Sequence, residues 1–148
     1  MSYTSLHYHI VFSTKQRRPW LAPEFLPRVC QYMGGIARKL NCQVILGDGS
    51  DDHVHLAAIV HPTVALAELV KEVKSRSSGW IHRTFPELRE FSWQEGYAAF
   101  TVSSSVLPKV KAYILRQREH HRKVRFQDEL LALLKRHGIK YDERYIWG

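Results

Sequence analysis

Apolar positions along this chain alternate between a period of two and a period of three to four. From Leu6 to Ser13, branched and aromatic residues alternate as in a strand, with His7, His9 and Val11 on one face and Tyr8, Ile10 and Phe12 on the other. Phe25, Leu26, Val29, Tyr32, Met33, Ile36 and Leu40 then recur at helical steps. They predict an amphipathic helix with Pro23 in its first turn, ending near Leu40. Cys42 to Gly47 reads as a second strand and Gly47-Asp48-Gly49-Ser50 as a turn. The stretch from His53 to Val60 reads as a third strand, antiparallel to the second. A second helix starts at His61-Pro62-Thr63, packs Leu66, Leu69, Val70, Val73, Ser77, Trp80 and Ile81, and stops at Pro86. Trp93 to Ser103 predicts a fourth strand bent near Gly96. Ser105 is placed to cap a third helix that has Pro108 in its first turn and runs to about Lys123. Phe126 to Arg136 forms a fourth helix, stopped at Gly138. The aromatic tail, residues 141–147, is expected to dock on the body.

This order predicts an α+β fold: a ferredoxin-like split βαβ with a four-stranded antiparallel sheet plus C-terminal helices. One domain is expected over residues 1–148, with the core at about 5–104 and the C-terminal helices at about 105–148.

Composition adds a partner class. Twenty-two Lys and Arg against fourteen Asp and Glu give a formal charge of +8. That balance favours a polyanion, nucleic acid first and an anionic membrane surface second. No apolar run is long enough to span a bilayer, and Met1 to Ser5 lack the pattern of a signal peptide. Two cysteines, Cys30 and Cys42, without CxxC spacing fit a reducing compartment. A cytoplasmic protein is expected, nucleoid-associated when bound to DNA.

The chemistry centres on Asp51-Asp52-His53-Val54-His55-Leu56. Alternation puts His53 and His55 on one face of a strand whose continuation, Ala57 to Val60, is apolar on both faces. Two imidazoles with little water nearby need partners, either hydrogen bonds within the core or a divalent metal. On the third helix, Tyr113 and Gln117 are four residues apart and share a face, among Lys109, Lys111, Arg116, Arg118 and Lys123. Two imidazoles and the amide oxygen of Gln117 can hold one cation and leave positions for phosphate oxygens. This mixed set suits Mg²⁺ or Mn²⁺, and no thiolate is at hand to favour zinc. A tyrosine one turn from such a ligand can attack a polarised phosphorus, with the surrounding positive charge lowering the cost of the phenolate. No general base stands next to Tyr113 in the sequence. The loop with Lys15, Arg17, Arg18 and Trp20 suits either phosphate contact with base stacking or a solvated turn with its indole on the core.

These residues, in this order, resemble the single-tyrosine HUH transposases of the small insertion-sequence type and their REP-associated relatives. The resemblance rests on Tyr8-His9-Ile10-Val11-Phe12 with Thr14-Lys15 and Arg17-Arg18-Pro19, on Asp52-His53-Val54-His55-Leu56, on Trp93-Gln94 with Gly96-Tyr97, and on Tyr113-Ile114 with Gln117. It implies that His53, His55 and Gln117 are metal ligands and that Tyr113 is the nucleophile. Single-stranded DNA with hairpin-forming repeats would be cut to a 5′-phosphotyrosine and a free 3′-hydroxyl, then rejoined without ATP. It further implies a homodimer; no membrane partner is expected, since no apolar run spans a bilayer. Where the family motif often has Glu-Asn, this chain has Leu115-Arg116, which adds charge beside the site. DNA contacts are assigned to Lys15, Arg17, Arg18, Lys74, Arg76 and Arg116.

His7 and His9 form a second alternating pair on a strand expected to neighbour the third, in packing or supporting roles. Asp51 and Asp52 are expected in a turn or beside a ligand, and His120-His121 on a phosphate-facing surface. Two other functions compete: a ferredoxin-like nucleic-acid-binding module without catalysis, and a hydrolase or nucleotidyl transferase with a histidine nucleophile. The third strand carries imidazoles where RNA-binding domains of this fold carry aromatics, which counts against the first. The second needs a third alternating histidine or a glycine-rich phosphate loop, and His61 lies past the strand end.

Overall fold

The computed structural model describes residues 1–147. Four strands, β1 (His7–Ser13), β2 (Gln43–Gly49), β3 (His53–Ile59) and β4 (Ala98–Val102), form one sheet in the order β2-β3-β1-β4, antiparallel throughout. Helices α1 (Leu26–Lys39) and α2 (Leu66–Thr84) connect them as a split βαβ demands. Three helices follow: α3 (Leu107–Leu115), α4 (Gln117–His120) and α5 (Phe126–Arg136).

The period of two along β3 sorts its side chains between two cores. Val54, Leu56 and Ala58 join Ile10 and Phe12 of β1 and the apolar stripes of α1 and α2 in the larger one. On the other face, Val11 and Phe100 meet Phe126, Leu130, Leu133 and Leu134 of α5, with Tyr141, Ile146 and Trp147 of the tail packed against them. The tail therefore docks, on the same sheet face as the two imidazoles of β3. Among the described residues, no helix is long and apolar enough to cross a membrane.

Four boundaries differ from the sequence pattern. First, β4 begins at Ala98 rather than Trp93, which makes only an isolated bridge with Thr14. In the intervening chain, off the sheet, the carbonyls of Glu95 and Gly96 accept from Lys74 Nζ at 3.1 and 2.8 Å. Second, α1 starts at Leu26, with Pro27 rather than Pro23 in its first turn, and α2 starts at Leu66. Third, β2 runs on to Gly49, so the turn is Ser50-Asp51-Asp52. A Cβ on Gly49 would lie 2.0 Å from the carbonyl oxygen of His53, so only glycine lets this hairpin close so tightly on the first imidazole. Fourth, the long third helix is two helices. At Arg116 (φ −101°, ψ 15°) the chain leaves helical geometry, and its amide bonds back to Tyr113 O at 3.2 Å. Ser105 caps neither piece, since Val106 stands at the N-cap of α3.

Candidate active site and metal centre

In the register of β1 and β3, His9 lies opposite Ala57 and Val11 opposite His55, so His9 and His55 are diagonal neighbours on one face. His53 and His55 are both fully buried. What they face comes from the helices. From α4, Gln117 Oε1 lies 3.0 Å from His53 Nε2. From α5, the carboxylate of Glu129 enters between the rings. Its Oε1 is 3.1 Å from His55 Nε2, 3.0 Å from His121 Nε2 and 3.6 Å from His53 Nε2. Its Oε2 accepts from Gln117 Nε2 at 3.1 Å and from the hydroxyl of Tyr113. The phenol ring stands edge-on to His55, with centroids 5.7 Å apart. One carboxylate thus joins the late tyrosine to the twin imidazoles within a single chain.

Outer contacts orient the rings. His53 Nδ1 sits 2.8 Å from Asp52 Oδ1 and 3.1 Å from Ser50 Oγ, while Phe126 stacks on the ring at 4.4 Å. His55 Nδ1 sits 2.7 Å from His9 Nε2. With Glu129 accepting from His55 Nε2, His55 Nδ1 accepts from His9; a metal ligand requires the other tautomer, in which Nδ1 of each ring donates to these outer partners and the Nε2 lone pair faces the cluster.

Burial decides most of the charge states. It pushes His55 down to about 4 against the opposing pull of Glu129, and His9 down to about 3, with His55 adding to the effect. Both rings are neutral at pH 7, the form that binds metal. Burial alone would raise Glu129, but hydrogen bonds from His121, His55 and Tyr113 outweigh it and hold this carboxyl far below its usual range. Tyr113 is shifted upward. Burial and the Glu129 carboxylate push its phenol up, so the hydroxyl is firmly protonated.

The donor set fits a cation. Ligand atoms of His53, His55, His121 and Glu129 all lie within 4.8 Å of one another. Two surface clefts lie beside this cluster, one opening on Tyr113 and the other on His121. One, of about 790 Å³, is lined by Tyr113, His120, Lys109, Arg116 and Lys123, and the other, of about 630 Å³, by Asp52, His121, Arg118, Arg122 and Arg125.

Residues 2–117 match the family model described as "Transposase IS200 like". The chain belongs to the IS200-like transposase family. This family member is 28% identical over 119 residues to the ISDra2 transposase TnpA of Deinococcus radiodurans, covering 77% of this chain and 85% of the relative. It is 30% identical over 122 residues to the IS200 transposase of Salmonella typhimurium, covering 76% of each. Its fold matches a crystal structure of a candidate transposase from Deinococcus radiodurans (TM-score 0.65, 24% identity, 80% of this chain and 95% of that one). It also matches a REP-associated tyrosine transposase bound to a REP hairpin (TM-score 0.61, 14% identity, 84% of this chain and 76% of that one).

The basic residues of this IS200-like transposase divide between the two faces of the sheet. Arg116 is exposed in the cleft beside Tyr113. Arg17 lies 5.7 Å over the Trp147 ring, Arg18 is 3.8 Å from Glu90, and Lys15 is exposed in the same turn. Trp20 packs against the larger core, the bland alternative for that indole. Lys74 and Arg76 sit on α2, across the sheet from the imidazoles. Lys74 is spent on the carbonyls of Glu95 and Gly96, and Arg76 is paired with Glu72 at 2.6 Å. The DNA role assigned to these two has no geometric support at this site. His121 departs from the sequence expectation. It points inward to Glu129, with a side chain only 8% exposed, rather than outward to solvent.

Glu129 escaped the sequence reading. The available signal was its position on α5. It lies three residues after Phe126, next to Leu130 and four before Leu133, so a carboxylate stands on the apolar stripe. A charge at such a position needs a buried partner.

Proposed function

We propose that this transposase cleaves and rejoins single-stranded DNA through a covalent 5′-phosphotyrosine on Tyr113. The observation that carries the reading is the meeting of the Tyr113 hydroxyl with the His53–His55 pair on one buried carboxylate. A binding module has no use for a nucleophile held this way.

Tyr113 Oη attacks the phosphorus, forming the P–Oη bond as the P–O3′ bond breaks. The phenol proton leaves by way of Glu129 Oε2, which accepts it in a hydrogen bond, and goes on to solvent, since a carboxyl held this far below its usual range does not keep it; the departing 3′-oxygen takes a proton from solvent. Glu129 thereby supplies the proton acceptor missing from the sequence around Tyr113. A divalent cation, Mg²⁺ or Mn²⁺, held by His53, His55 and Gln117 would offset the charge that grows on the phosphate. The phosphotyrosine keeps the energy of the phosphodiester, so a 3′-hydroxyl can reverse the step.

Lys109, Arg116 and Lys123 line the cleft that opens on Tyr113, a path for the DNA backbone. Lys15, Arg17 and Arg18 extend the basic surface from the β1–α1 turn. Hairpin-forming repeats are the proposed substrate, supported by the REP hairpin held by a structural relative. Homodimer assembly is part of the same reading.

The test is a denaturing gel of the protein mixed with labelled hairpin single strands and Mn²⁺. A shifted covalent band is expected, and it should vanish with chelator. Binding without any adduct would favour the non-catalytic module instead. A smaller effect is expected at Asp52. Without that carboxylate, His53 loses the acceptor that fixes its tautomer, so Asp52→Ala should weaken Mn²⁺ binding about 10-fold. Calorimetric titration reads this directly, and unchanged affinity would remove Asp52 from the centre.

A further inference from the structure

We propose that His121 and Glu129 are themselves metal ligands. With His53 and His55 they complete a centre of three imidazoles and one carboxylate, suited to Mn²⁺, Co²⁺ or Zn²⁺ ahead of Mg²⁺. This enlarges the metal set of the strand-transfer reading and rests on that reading for its purpose.

Convergence is the first observation. The Nε2 atoms of three histidines from two parts of the chain surround a single oxygen, Glu129 Oε1, at 3.0, 3.1 and 3.6 Å. Three ring nitrogens around one carboxylate oxygen form the arrangement that a shared cation would organise, with each ring's proton on Nδ1 and its Nε2 lone pair turned to the ion.

Burial is the second. His53 and His55 have no exposed surface and Glu129 has 3%. Taking a carboxylate and two imidazoles out of water is costly unless they are paired, and a dication is a common partner for all of them.

Chemistry is the third. Mg²⁺ demands oxygen ligands and keeps its waters, whereas imidazole nitrogen suits the later first-row ions. A set with three nitrogens and one oxygen therefore discriminates against Mg²⁺ more strongly than two imidazoles and an amide do. The two oxygens of Glu129 also divide their work, with Oε1 toward the imidazoles and Oε2 toward the Tyr113 hydroxyl. One side chain would then set the distance between ion and nucleophile. Both His121 and Glu129 lie after residue 117, where the family match ends.

The experiment is calorimetric titration of the full chain, without DNA, with MnCl₂, ZnCl₂ and MgCl₂. The wild type should bind Mn²⁺ and Zn²⁺ at least 10-fold more tightly than Mg²⁺. His121→Ala and Glu129→Gln should each weaken Mn²⁺ binding 10-fold or more, with helical circular dichroism unchanged. A loss smaller than 10-fold in either variant, or a wild type that favours Mg²⁺, overturns the assignment. Should a variant lose its helical signal, long-range nitrogen–proton spectra of the wild-type imidazoles decide. On adding Zn²⁺, the Nε2 resonance of His121 must move to the metal-bound position together with those of His53 and His55, and an unmoved His121 rejects it. The adduct assay is independent of these titrations. A protein that binds metal through His121 and Glu129 but never forms an adduct sinks the strand-transfer reading alone. A metal-dependent adduct with undiminished binding in both variants sinks this inference alone.

Discussion

Tyr113→Phe is expected to abolish the covalent protein–DNA adduct, lowering strand cleavage on the order of 10⁴-fold or more, as removal of a nucleophile does elsewhere. The substitution deletes one oxygen and leaves the ring in place, edge-on to His55 and to His9 at 6.1 Å. Glu129 loses one donor but keeps His55, His121 and Gln117. Stability should therefore fall by no more than about 1 kcal/mol. Hairpin binding should persist, because the cations lining the cleft are untouched. Loss of the adduct with retained binding separates chemistry from affinity, and gel shifts run with and without denaturant read both.

His55→Ala is expected to be costly in two ways. The imidazole is fully buried between His9 Nε2 at 2.7 Å and Glu129 Oε1 at 3.1 Å. Its removal leaves a cavity and strips a buried carboxylate of a partner, which together should lower stability by about 3–5 kcal/mol. Against a typical total of about 5–15 kcal/mol, that is a large share. Metal binding should weaken by roughly 100-fold or more, since outer-shell losses alone reach that range. Urea titration with and without Mn²⁺ reads both effects. The wild type should gain stability from the ion, by about 2.7 kcal/mol at a concentration 100 times its dissociation constant. The variant should gain almost none.

The fold was legible wherever burial imposed a clean period. Alternation in β1 and β3 sorts Val54 and Leu56 from His53 and His55, and the split βαβ order places β1 beside β3, as the structure has them. It was less legible where contacts come from far along the chain. β4 starts late, and in the chain before it the carbonyls of Glu95 and Gly96 are held by Lys74, a contact across 21 and 22 residues that no local window contains. The break at Arg116 has no proline or glycine to announce it. It serves the site, because Tyr113 and Gln117 still reach the same oxygen of Glu129 across two helices.

The candidate site shows the same division. His53, His55, Tyr113 and Gln117 stood out because their spacing and residue types carry chemistry. Glu129 and His121 did not, because their meaning depends on α5 folding back over the sheet face that holds the imidazoles. His121 reads as one more member of a basic run until that helix docks. The direction of the Tyr113 shift was hidden for the same reason, since the carboxylate that raises it is 16 residues away.

The most direct test is mass spectrometry of the tryptic digest after reaction of the wild-type protein with hairpin DNA and nuclease trimming. Trypsin releases residues 112–116 as a short peptide with Tyr113 its only tyrosine. A phosphonucleotide on that peptide, present with Mn²⁺ and absent with chelator, is the expected result. The same modification on another residue, or a covalent adduct that forms without any metal, would contradict the account.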